Sequence, residues 1–121
     1  MAETLNWTLS SSIVSGSTTQ NGPPLSFSDT NVQQHSIDKV TIPGSSTDLA
    51  ISLDGMTAAY VILKFDGNVS VKLNGTGSSA IALTASASHP AALMLSGGAV
   101  TSVHVTNAAA SAITCEKLIA V

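Results

Sequence analysis

Three histidines, a single cysteine, seven carboxylates and a wealth of hydroxyls are the residues here with chemistry to offer. His35 stands three positions before Asp38, and with serines throughout the chain a Ser-His-Asp relay can be drawn on paper. Such a relay needs a serine presented on a sharp strand-to-helix turn, and no Gly-x-Ser-x-Gly segment supplies one. His35 is therefore read as a strand residue with a hydrogen-bonded or solvated ring. His89 precedes Pro90 in a loop, while His104 alternates with Val103 and Val105, so that its ring points away from their side. Metal ligation asks for His or carboxylates at short repeated spacing, which none of the three histidines offers. Asp29, Asp38, Asp48, Asp54 and Asp66 mostly fall at turns, where a short carboxylate bonds its own backbone.

Gly75-Thr76-Gly77-Ser78-Ser79-Ala80 satisfies the pattern G-x-G-x-x-A of dinucleotide-binding turns. That pattern works only when it opens a helix, because the helix N-terminus holds the pyrophosphate. The next residues, Ile81-Ala82-Leu83-Thr84, alternate in the manner of a strand, so the segment is read as a hairpin loop. Cys115 is alone, which excludes an internal disulfide framework or a multi-cysteine zinc site and makes it a small buried apolar residue in a protein of a reducing compartment. No catalytic, metal or cofactor-binding residue is expected, and no cofactor.

Composition narrows the partners. Charged residues make up 9% of the 121, arginine is absent, and Lys39, Lys64, Lys72 and Lys117 are scattered through a chain of net charge −3. Binding a phosphate backbone needs clustered cations, so nucleic acid is not an expected partner. No apolar run approaches the length of a membrane span, and 1–8 lacks a basic segment leading into an apolar one, so neither membrane insertion nor signal-directed export is expected. Ser and Thr fill roughly a quarter of the chain, giving a surface of hydroxyls more than of ions. A surface so weakly charged is best tolerated where neighbours cover much of it, which favours assembly.

The elements that must position these residues read as strands. Alternation of apolar and polar residues recurs from end to end, and no window of helical length keeps a 3.6-residue period. Leu5, Trp7 and Leu9 alternate with Asn6 and Thr8 in a first strand; 15–24 reads as a long loop. Further strands are expected around Leu25 and Phe27, within 32–42, and over 49–53, 60–65, 69–73, 81–83, 93–95, 103–106 and 113–119. Asp66-Gly67 suits a type I′ turn and predicts a hairpin between 60–65 and 69–73. Lys117 falls on the apolar face of the last strand with Ile113, Cys115 and Ile119. The fold class expected is all-β, an antiparallel β-sandwich or jelly roll of about eight short strands with a small closed barrel as the alternative architecture, and 1–121 as one domain. Two alternatives stand for 1–13: part of that domain, or an extended arm that adds to a neighbour's sheet. Leu5, Trp7 and Leu9 are the candidate interface residues, Trp7 because a buried Trp often anchors an interface and otherwise packs in a core.

The segment Tyr60-Val61-Ile62-Leu63-Lys64-Phe65-Asp66-Gly67-Asn68-Val69-Ser70-Val71-Lys72-Leu73-Asn74-Gly75, then Ala92-Leu93-Met94-Leu95 and Val103-His104-Val105-Thr106-Asn107, resembles small virion proteins of tailed bacteriophages. The resemblance covers 58–121 and rests on turns and core positions. It implies a non-enzymatic β-sandwich located in the virion, assembled in the host cytoplasm as a head decoration (cement) protein, a fibre component or a tail protein. The partners it implies are the major capsid protein or other virion proteins, together with copies of the chain itself. Of the closed homo-oligomers, a trimer fits capsid three-fold sites. The alternative function is a tail or fibre component that recognises a host surface glycan.

Overall fold

The computed structural model describes residues 2–121, and among them there are twelve strands and no helix, so none long and apolar enough to cross a membrane. The strands group into two compact units, Met1–Gln33 and Gln34–Val121.

The second unit carries eight strands: β5 (His35–Ile42), β6 (Ser46–Ile51), β7 (Ala58–Phe65), β8 (Val69–Leu73), β9 (Ile81–Leu83), β10 (Ala91–Val100), β11 (Val103–Asn107) and β12 (Ile113–Ala120). They form two four-stranded antiparallel sheets, in the orders β10-β7-β12-β5 and β6-β11-β8-β9. Pairing is nested. β5 lies against β12, β6 against β11, β7 against β10 and β8 against β9, as if one long hairpin had been folded at β8–β9 and rolled up. That is the winding of a jelly roll, and its eight strands match the sandwich predicted by the alternation.

Each strand turns one parity inward. Ile42, Val61, Leu63, Phe65, Cys115 and Ile119 from one sheet meet Ile51, Val69, Val71, Val103 and Val105 from the other in a single buried cluster. Phe65 is the only aromatic ring among them, so branched aliphatic residues fill the space between the sheets, as the composition requires.

Edge strands are ready templates for unwanted pairing, and the four edges here are each interrupted, cut short or studded with polar side chains. β10 shifts register between Ser96 and Val100, at the Gly97-Gly98 pair. β6 shifts against β11, with Asp48 at φ 47 and its amide donating to Thr106 Oγ1 at 3.0 Å. β9 is three residues long, and β5 carries the polar residues His35, Asp38 and Lys39.

One expected pairing is not made. The strands 58–65 and 69–73 exist, but they belong to different sheets, so Asp66-Gly67 is a crossing and not a hairpin turn. Positive φ falls instead on Asp54-Gly55 (52° and 79°) and Asn74-Gly75 (60° and 124°). Asp66 has other work: its carboxylate accepts the Thr114 amide at 2.8 Å, tying the crossing to β12.

The first unit holds β1 (Glu3–Leu9), β2 (Ser12–Ser15), β3 (Thr18–Asn21) and β4 (Leu25–Val32), paired only as β1–β4 and β2–β3. Where a loop is expected over 15–24, β2 and β3 make a hairpin turned at Gly16, φ 63°. The apolar pattern is too weak there to betray it, since β3 is Thr-Thr-Gln-Asn. Residues 1–13, expected either as an arm or as part of one sandwich over 1–121, supply β1 and the start of β2, and β1 pairs with β4 of its own unit.

Candidate interaction surface

The β1–β4 ribbon sorts its side chains by face. Trp7 stands opposite Phe27, Leu9 opposite Leu25 and Leu5 opposite Asp29, so one face is apolar along most of its length. The other presents Thr8 and Ser26, Asn6 and Ser28, hydroxyls and amides throughout. Trp7 and Phe27 meet edge to face, with ring centroids 4.8 Å apart and planes at 86°. Both rings are half-buried, and Leu9 and Leu25 keep nearly half of their surface in water.

The structure thus places all three expected interface residues, Leu5, Trp7 and Leu9, on one face. It adds Leu25 and Phe27, whose alternation is visible in sequence while the register joining them to β1 is not. Among the described residues of this unit only Val32 is a buried hydrophobic, and Ile13 and Val14 at the tip are 71% and 66% exposed. A two-stranded ribbon is marginal in water, and units this small seldom hold together without a staple or a partner.

The groups that could have done chemistry are dispersed. His35 and Asp38 sit on opposite faces of β5, because residues an odd number apart in a strand point apart. His89 lies in the loop before β10, its Nδ1 3.1 Å from Ser88 Oγ. His104 is on the outer face of β11 between Ala50 and Lys72, with Nδ1 enclosed and no hydrogen-bond partner among the described residues. No group of three or more His, Cys, Asp or Glu among the described residues is arranged to hold a metal ion.

The most concentrated polar cluster surrounds Lys117. Its stem lies in the core face of β12 as the alternation predicts, and its ammonium donates to the Ser52 carbonyl at 2.6 Å and lies 3.5 Å from Asp54 Oδ2. Asp54 is held below its ordinary value of 3.8 by a Ser36 hydroxyl, then by the Lys117 charge and the Ser52 hydroxyl, outweighing a small opposing effect of burial. The cluster satisfies a buried cation at the rim of the sandwich, and a partly exposed carboxylate kept ionised is poorly suited to proton transfer near neutrality. Comparison of the chain with protein-family models, with curated proteins and with solved structures gave no match.

Proposed function

We propose that the chain is a non-enzymatic structural protein of a virus particle, a decoration (cement) protein that bridges neighbouring capsid subunits and stabilises the head lattice. The observation that carries this reading is the N-terminal ribbon: an apolar face of Leu5, Trp7, Leu9, Leu25 and Phe27 in a unit with almost no core of its own. Burying that face against a neighbour would stabilise both at about 25 cal/mol for each Å² removed from water. Repetition by symmetry would multiply the effect over a shell. Jelly rolls occur in viral capsid and lectin domains, a fold-level analogy that agrees with the reading without establishing it.

A second reading, a tail or fibre component that recognises a host surface glycan, draws on one feature. Trp7 and Phe27 set two half-buried rings side by side on an otherwise hydroxyl-rich ribbon. The two readings part in a single experiment: quantitative mass spectrometry of purified particles, with cryo-electron microscopy of the same sample. Hundreds of copies over the head support the cement reading. A few copies at the tail favour the second, and absence from particles rejects both.

A further inference from the structure

The outer face of the sheet β10-β7-β12-β5 is ordered in rows. One row runs Ala92, Lys64, Glu116, Lys39 across the four strands; the next runs Met94, Ile62, Leu118, Ile37; a third runs Ser96, Tyr60, Ala120, His35. The middle row is apolar from edge to edge. Ile37 at its end is 71% exposed, and a shallow groove of about 730 Å³ runs past Ile37, Ile62 and Leu118 toward the charged row. In the charged row Glu116 lies between two lysines, 3.4 Å from Lys39 and 3.5 Å from Lys64, and all three side chains are well exposed.

We infer that this face pairs with the same face of a second copy, about a two-fold axis parallel to the strands and lying between β7 and β12. Such an axis exchanges β7 with β12 and β10 with β5 while keeping each row in register. Lys64 then faces Glu116 of the second copy and Glu116 faces its Lys64, so the charges oppose correctly twice. In the apolar row Ile62 meets Leu118 and Met94 meets Ile37. A two-fold axis makes every contact reciprocal, residue i on j and j on i, so one attractive match is made twice; what is particular to this face is that the matched pairs are Lys with Glu and apolar with apolar. Aligned sheets cross at about 30°, so the axis departs from the mean strand direction by about half that angle, which leaves the two central columns closest to register and displaces the edges by a few Å. Electrostatic self-match sets the geometry, while the apolar row supplies the burial. This pairing stands whether or not the protein belongs to a virion.

Two variants of the full chain, Ile37→Cys and Met94→Cys, each adding one exposed cysteine to the enclosed Cys115, test the geometry with a bismaleimide of two-carbon spacer. Across the axis these positions are about one sheet spacing, ~10 Å, apart, whereas Ile37 lies ~14 Å further sideways from its own symmetry mate. A cross-linked dimer is expected only when the two variants are mixed. Equal linking within either variant alone, or none in the mixture, overturns the arrangement. Sedimentation equilibrium supplies the second arm: Leu118→Lys should weaken association at least tenfold with an unchanged circular dichroism spectrum. An oligomer that persists in Leu118→Lys, with no mixed cross-link, would reject the sheet-face dimer and leave association through the N-terminal ribbon untouched.

Discussion

Cys115 is fully enclosed on the inner face of β12, and burial, offset in part by Lys117 and reinforced by Glu116, pushes its thiol up to about 11. A thiol both protonated and covered does not alkylate. Iodoacetamide at mildly alkaline pH should leave the folded protein unmodified and label one site per chain once denaturant is added; labelling of the folded protein would contradict the packing. Asp54 behaves in the opposite sense. Because its folded value is depressed, its contribution is complete above the ordinary carboxylate range and is lost as the pH falls through the depressed value. Asp54→Asn should therefore lower the urea midpoint at neutral pH, with the gap to the native chain closing below about pH 4. A gap that is independent of pH would mean that the carboxylate's charge is not what matters. Lys117 interrupts the apolar pattern of the last strand, and the strand parity nevertheless holds: the lysine is buried where the alternation puts it, its charge carried to Ser52 and Asp54 at the rim.

At the scale of elements, most strands are legible in the sequence and their partners are not. Alternation fixes which residues share a face, so 58–65, 69–73, 103–107 and the last strand can be read directly. It says nothing of which strand lies alongside, and Asp66-Gly67, a good hairpin turn by local chemistry, is a passage between sheets because the nested pairing claims β7 for β10 and β12. The β2–β3 hairpin is hidden for a different reason, since hydroxyl and amide residues carry no burial signal. Nor does composition reveal Asn107, which looks like an ordinary loop residue and is fully buried. Its amide donates to the carbonyls of Ser111 at 2.9 Å, Pro43 at 3.2 Å and Ile42 at 3.5 Å, and its oxygen accepts from the Ala109 amide at 3.2 Å. One side chain thus braces the turn after β5 against the connection from β11 to β12. Beside it Gly44 has no room for a Cβ, which would overlap the Ala110 carbonyl oxygen. Asn107→Leu keeps the volume and strands those backbone groups, so it should cost about 3 kcal/mol in denaturant unfolding. A loss below about 1 kcal/mol would show that the brace is dispensable.

The whole molecule divides at Gln33, and its two parts differ in kind. Gln34–Val121 has a closed core, interrupted edges and a ladder that Gln34 and Val121 extend with two backbone hydrogen bonds, 3.1 and 3.0 Å. Residues 34–121 expressed alone should give a strand-rich circular dichroism spectrum and one cooperative thermal transition, whereas 1–33 alone should be unstructured; failure of 34–121 to fold would show that the jelly roll depends on the ribbon. The candidate site is legible as the triplet Leu5, Trp7 and Leu9, but its completion by Leu25 and Phe27 needs the register of β4, which lies beyond a hairpin that sequence does not disclose. Nesting has a further consequence, in time. β8 finds β9 within one short connection, but β5 waits for β12, so on a ribosome the first strand of the roll emerges long before its partner exists. Until 113–120 has been made, Val40 and Ile42 lie at an open edge with nothing beside them, and long-range closure of this kind is slow and prone to misassociation. Nascent chains halted short of β12 should accordingly remain protease-sensitive and bound by chaperones, with folding concentrated in the moments after β12 emerges.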